Sequence, residues 1–293
     1  MPDDTLRPRR SFLYVPASRP DRFPKAMASG ADMVCVDLED AVAGDAKEAA
    51  RHQAIALFAG SERGPERLLR INSLATDYGR ADLAAVAASD QAPDGMLLPK
   101  VRGVGEIISA IDATGHHENL QIHIQMETSE ALEHAMDIGR AHERVASFVF
   151  GGFDMAAALR VEPGWEALLY ARGRLVHAAA SAGIDLLDMP FFGLDDDAGL
   201  RAEATQAKTI GFTGKTAIHP KQIAAINETF SPSVQEAARA RELIAKFEAQ
   251  DQAFVVIDGE ILEAPRSEEH TSELQSQSNL VCRLLLGVQT CAL

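Results

Sequence analysis

Eight short apolar runs, separated by longer stretches in which apolar residues recur every three or four positions, constrain the fold of this chain more than any other feature. The runs are Ser11–Ala17, Met33–Leu38, Arg67–Asn72, Gly95–Lys100, Gln121–Met126, Ala146–Phe150, Ile184–Met189 and Thr216–His219. Their short length and bulky or β-branched residues predict strands. Between them, Asp45–Phe58 (DAKEAARHQAIALF) and Trp165–Ala182 (WEALLYARGRLVHAAASA) carry a helical period. Strands that alternate with helices build a parallel sheet covered by helices. Eight such units in about 220 residues predict an α/β chain of the (β/α)8 TIM barrel type. An open doubly wound sheet is the alternative that the same count allows. A barrel carries one further expectation, that functional side chains gather at the C-terminal ends of its strands.

The polar residues follow that expectation. Asp37, Glu39 and Asp40 close the second run, Arg70 and Asn72 the third, and Lys100 the fourth. Gln125, Glu127 and Thr128 end the fifth, Asp154 follows the sixth, and Asp188 ends the seventh. Acidic and basic groups thus converge on one rim. Asp and Thr at a strand-to-helix turn often cap the next helix, and for Asp40, Thr128 and Asp188 that role stands beside a functional one. Glu127 and Arg70 fit it poorly, because long charged side chains that close apolar strands need partners.

Composition narrows the class. With 46% hydrophobic and 24% charged residues the chain is neither disordered nor membrane-spanning in pattern. A net charge of −15 weighs against nucleic acid or an anionic membrane as partner, since both need a basic face. The first ten residues are polar and the apolar run after them is too short for a signal-peptide core, so a cytoplasmic location is expected. Cys35, Cys282 and Cys291 form neither a CxxC pair nor a zinc-ligand spacing, and Cys35 reads as a core thiol. Gly214-Lys215-Thr216 looks like the end of a phosphate loop, but the glycine required five positions earlier is Thr209.

From Ser267 onward the text, SEEHTSELQSQSNLVCRLLLGVQTCAL, has no strong period and reads like translated cloning or adaptor sequence. The expected organisation is therefore a barrel over 1–230, a C-terminal helix and lid segment over 231–266, and a non-native tail over 267–293. Without the tail the body remains strongly acidic.

Seven motifs in order, RSFLYVPASRPDRFPKA, VDLEDAV, LLRIN, LLPKV, QMET, GGFDMAAAL and GKTAIHPKQI, resemble the HpcH/HpaI aldolase and citrate lyase β-subunit-like family, especially its CoA-ester lyase branch. The likeness covers residues 10–265. It implies a TIM barrel, a divalent metal (Mg2+, with Mn2+ as substitute), a homotrimer or hexamer, and aldol-type cleavage or formation of a C–C bond. The implied substrate is a 3-hydroxyacyl-CoA such as malyl-CoA or citramalyl-CoA, which yields an acetyl-CoA-type ester and a 2-oxo acid. The resemblance makes Glu127 and Asp154 the metal carboxylates, and two carboxylates suit Mg2+, which completes its shell with water and substrate oxygens. The competing use of Asp154 is to cap the helix that follows it. Arg70 matches the active-site arginine, whose planar fork suits an enolate oxygen, and a salt bridge to Glu39 or Asp40 is its other use.

Asp37 joins the catalytic set in a supporting role with Glu39 and Asp40, because three carboxylates cannot all ligate one ion that keeps its waters. Arg19 and Lys25 resemble the family's CoA-phosphate contacts, with a merely solvated helix face as the alternative. His219 is read as structural, its ring bonding loop backbone. After the last long helix the family motif resembles Asp-Gly-x-Met-Ile-Asp-x-Pro, whereas this chain reads Asp258-Gly259-Glu260-Ile261-Leu262-Glu263-Ala264-Pro265. The acid–base position is thus Glu263, with Asp258 as the alternative. Other functions compatible with the same residues are the β subunit of a citrate lyase complex acting on a carrier-protein thioester, a malyl-CoA thioesterase, and a non-catalytic binding paralogue.

Overall fold

Every one of the eight runs forms a strand, and the sheet closes. The computed structural model describes residues 7–59, 64–235, 238, 254–257 and 260–263. Its parallel strands are β1 (Ser11–Pro16), β2 (Met33–Asp37), β3 (Glu66–Arg70), β4 (Gly95–Leu98), β5 (Gln121–Met126), β6 (Val145–Phe150), β7 (Asp185–Asp188) and β8 (Gly214–Ala217). Neighbours in sequence pair in space, and β8 returns to β1. Closure excludes the open doubly wound alternative and leaves the barrel sheet without an edge.

The intervening helices are α1 (Phe23–Met27), α2 (Lys47–Ala56), α3 (Asp77–Ala88), α4 (Val104–Ala113), α5 (Ser129–Glu133), α6 (Ala135–Gly139), α7 (Gly152–Leu159), α8 (Leu169–Ala182), α9 (Asp197–Ile210) and α10 (Ile223–Phe230). Two differ from the sequence expectation. A 3-10 turn at Gly44–Ala46 precedes α2, so the regular helix starts later than Asp45. Helix α8 begins at Leu169 rather than Trp165, whose ring stacks on the Arg172 guanidinium at 4.5 Å instead of extending the helix. None of the helices described is long and apolar enough to cross a membrane.

Strand residues alternate between two cores because successive side chains point to opposite faces. One set, including Val34, Val36, Leu69, Ile122 and Ile124, packs under the helices. The other, Phe12, Met33, Cys35, Leu68, Leu97, Val149 and Leu187, fills the lumen, which makes Cys35 the core thiol expected. Below this apolar layer, at the N-terminal ends of the strands, lies a buried polar cluster. Arg9 donates to both Glu66 oxygens, at 2.7 and 2.9 Å, and to Asp185 at 3.3 Å. His123 Nδ1 bonds Ser147 Oγ at 2.7 Å, and its Nε2 lies 3.4 Å from Glu66. Gly95 makes room for this ring, since a Cβ there would stand 2.6 Å from His123 Nε2.

The chain divides into two compact units, Arg9–Phe230 and a second made of residues 1–8 and 231–293. The barrel is the first. Within the second, β9 (Phe254–Ile257) and β10 (Glu260–Glu263) form an antiparallel hairpin with Glu263 opposite Phe254. Asp258, most of the helix expected within 231–266, and the tail 267–293 lie outside the described residues.

Candidate active site

Arg70 and Asp37 are the last residues of adjacent strands and stand level in the register, so their side chains meet above the apolar layer. Arg70 donates from Nε to Asp37 Oδ1 at 2.7 Å and from Nη2 to Oδ2 at 2.6 Å, a two-pronged bond. The backbone amides of Glu39 and Ala41 bond the same carboxylate and tie it to the loop after β2. The remaining arm, Nη1, donates to Gln125 Oε1 at 3.2 Å and lies 3.1 Å from Glu39 and 3.7 Å from Asp40. Tyr14 from β1 covers the guanidinium at 5.0 Å.

Gln125 relays the contact onward. Its amide donates to Glu127 Oε2 at 2.5 Å, while Glu127 Oε1 accepts the Lys100 backbone N–H at 2.8 Å. A single hydrogen-bonded chain therefore crosses the tops of β2, β3, β5 and β4. The glycine pair after β6 makes it possible: a Cβ on Gly151 would come within 2.5 Å of Glu127 Cβ. Glu127 is 1% exposed, and its carboxyl is pushed up to about 8 by burial and then by the charges of Glu39 and Asp154. Burial raises Glu39 as well, against Arg70 and Lys100, whereas Asp37 and the other carboxylates drive the Arg70 guanidinium further up despite its own burial.

Asp154 lies in the first turn of α7, but its side chain caps nothing, so the capping alternative falls. It lines, with Glu127, Thr128 and Lys100, a cleft of about 250 Å³. Thr128 does cap its helix, accepting from the Ala131 amide at 3.0 Å. Asp188 does not. It is fully buried between Lys215 at 2.9 Å and Arg172 at 3.1 Å, because the end of β7 faces those two cations rather than the next helix. His219 accepts from the Lys221 amide at 3.1 Å, which is the structural role read from the sequence.

A larger cleft of about 610 Å³ is lined by Tyr14, Asp37, Asp40, Arg22, Lys25 and His219 among others. Arg19 is not part of that lining; its guanidinium makes two bonds to exposed Asp21, both at 2.8 Å. Sequence reasoning placed Lys100 and Gln125 on the functional rim without giving either a role, and it assigned nothing to Arg22 or Tyr14. Gln125 and Lys100 stood at strand ends, which was the available signal; Tyr14 lies inside the first apolar run, where nothing local marks it.

A divalent cation has a place here. Glu127 and Asp154 face one cleft, burial and then the charges of Glu39 and Asp154 push the Glu127 carboxyl up, and Glu39 Oε2 is buried without a hydrogen-bond partner. Among the described residues no group of three or more acidic, histidine or cysteine side chains could hold an ion. A cation at this point would take the two carboxylates and fill its shell with water and substrate oxygens, a common arrangement for Mg2+.

A model of the HpcH/HpaI aldolase/citrate lyase family matches residues 10–220. The chain belongs to that family. It is thereby a member of a group of carbon–carbon lyases. A (3S)-malyl-CoA thioesterase of Cereibacter sphaeroides is 37% identical over 262 residues, 87% of this chain and 90% of the relative. An L-malyl-CoA/β-methylmalyl-CoA lyase of the same species is 34% identical over 277 residues, 85% of this chain and 87% of the relative. Among solved structures, RipC from Yersinia pestis is 36% identical with a TM-score of 0.68, covering 78% of this chain and 97% of its own. CitE from Mycobacterium tuberculosis, solved with magnesium, acetoacetate and coenzyme A, is 27% identical with a TM-score of 0.73, covering 95% and 99%.

Proposed function

We propose that this protein is a Mg2+-dependent lyase that cleaves, or in reverse forms, the C–C bond of a short 3-hydroxyacyl-CoA such as malyl-CoA or citramalyl-CoA. The observation that carries the reading is the continuous chain from Asp37 through Arg70 and Gln125 to Glu127, which ends at the cleft shared with Asp154. It joins a fixed cation to a carboxylate pair. Relatives named for malyl-CoA and a CitE solved with magnesium and coenzyme A support the substrate and metal classes.

In this reading the substrate's 3-hydroxyl gives up its proton, the C2–C3 bond breaks, and its electrons pass to the thioester as an enolate that is then protonated on carbon. Arg70 meets the enolate oxygen with Nη1, the arm that Asp37 leaves over, while Asp37 locks the other two nitrogens and the plane of the fork. Mg2+ held by Glu127 and Asp154 would polarise the carbonyl of the 2-oxo acid half. Lys25, with Arg22 beside it in the larger cleft, is suited to CoA phosphates, and Arg19 adds charge at the approach. Glu263 is the proposed acid–base carboxylate, with Asp258 as the alternative, and the assembly a homotrimer or hexamer.

Thioester hydrolysis is the second reading, favoured by the 37% identity to the malyl-CoA thioesterase. One assay separates the two. Purified protein with Mg2+ and malyl-CoA yields acetyl-CoA and glyoxylate by cleavage, but malate and free CoA by hydrolysis. The lyase reading expects the first pair and its loss in EDTA. Malate and free CoA alone would replace it with the second, and no turnover of malyl-, methylmalyl-, citramalyl- or citryl-CoA would overturn both.

A further inference from the structure

Lys100 and Arg160 are the non-glycine residues with positive φ among the described residues, at 53° and 61°. Arg160 ends helix α7, a usual place for left-handed backbone. Lys100 caps no helix. A left-handed L-residue costs roughly 1–2 kcal/mol and persists where its surroundings hold it there. What holds Lys100 is its own N–H, which donates to the buried Glu127 carboxylate at 2.8 Å.

The side chain of the same residue turns to the other two acids. Its Nζ lies 3.4 Å from Glu39 Oε1 and 3.7 Å from Asp154 Oδ1. Glu39 is 7% exposed, and its second oxygen has no hydrogen-bond partner although Arg70 Nη1 is 3.1 Å away. Asp37 takes two of the three Arg70 nitrogens. Glu39 is thus left with one arm of Arg70 and with the ammonium of Lys100, which it shares with Asp154. The Lys100 side chain is 38% exposed, so this cation, unlike Arg70, can leave.

We propose that Lys100 is the resident counter-ion of the metal carboxylates: its backbone N–H orients Glu127 while its ammonium neutralises Glu39 and Asp154 and competes with the incoming divalent cation. The inference rests on the metal reading of Glu127 and Asp154. It assigns Lys100 a positioning role with two separable parts. The backbone part prepares one ligand. The ammonium lets three neighbouring carboxylates coexist before the metal arrives, at the expense of metal affinity.

Mn2+ titration of the full chain by calorimetry or electron paramagnetic resonance tests this without any turnover. Lys100→Met removes the charge and keeps the bulk; Lys100→Gly removes it on a backbone that suits positive φ, and so remains a folded comparison if the first variant is unstable. Both are expected to bind Mn2+ at least about threefold more tightly than the parent at low salt, with the gap narrowing at 0.5 M salt because an exposed charge is screened. Glu127→Gln is expected to lose binding.

Equal or weaker binding in the Lys100 variants, with Glu127→Gln still abolishing it, overturns this inference alone. Tightening confined to Lys100→Gly, or a gap indifferent to salt, overturns it too by assigning the effect to backbone or packing. A parent chain that binds no Mn2+, or a Glu127→Gln chain that binds it normally, overturns the metal reading and this inference with it.

Discussion

At the two mouths of the barrel a buried carboxylate meets opposite surroundings. Glu66, 2% exposed below the apolar layer, is held well below the usual carboxylate range: burial raises it, but His123 and the Arg9 guanidinium more than offset that. Glu127, 1% exposed above the layer, is pushed up to about 8. Its direct partners are a neutral amide and a backbone N–H, and its nearest charges include two further acids. Burial acts on both in the same direction; the supply of cations decides the outcome. The lower cluster draws its cation, Arg9, from within the chain. The upper one leaves negative charge that a ligand can compensate, at the strand ends where barrel enzymes carry their chemistry.

The sharpest way to break this contrast is to remove the upper acids. Glu127→Ala or Asp154→Ala is expected to lower kcat/KM for CoA-ester cleavage at least about a thousandfold, roughly 4 kcal/mol, and to abolish metal dependence. Activity that survives in either variant, or in EDTA, would refute the assignment. Arg70→Lys comes next. Lysine keeps the charge but cannot hold Asp37 and Gln125 together, so kcat should fall about a hundredfold or more, nearly as far as in Arg70→Ala. Retention of a third of the parent rate would contradict the role.

Effects at the lower mouth should appear in stability and leave catalysis alone. Glu66→Gln is expected to cost about 2 kcal/mol in denaturant unfolding with kcat unchanged, because Arg9 loses two charged bonds but keeps Asp185. The smallest effect is a slope. Burial holds His123 below its ordinary value of 6.5, against Glu66 and Asp185 and with Arg9. The unfolded ring takes a proton that the folded one refuses, so the His123 contribution to stability declines as pH falls below about 6.5, by at most about 1.4 kcal/mol per pH unit, against the opposite slope of Glu127, whose folded value is raised. Glu66 adds to the decline further into acid, since its folded value lies below its ordinary one. His123→Gln should remove the first contribution and shrink the second, since His123 is one of the groups that hold Glu66 down.

The sequence alone determined the alternation of strands and helices, because a strand or helix period is a local property of neighbouring residues, whereas the pairing of β8 with β1 that closes the barrel was decided by the tertiary structure. It also located Asp37, Arg70 and Glu127 at strand ends and Asp154 just after one, since a charged residue closing an apolar run is visible without knowing its partner. Partners are what it withheld. Asp188 could be weighed as a helix cap until the fold set Lys215 and Arg172 against it. His123 alternates within QIHIQM like any strand residue, and Arg9 and Glu66, 57 positions apart, meet only when the sheet closes. Lys100 ends its run as the sequence indicates, but its positive φ, which aims the N–H at Glu127, arises from closure of β4 against β5 and from a carboxylate 27 residues away. Charge compensation between distant segments depends on geometry, and tertiary structure decided which buried acid is neutralised and which is left to bind.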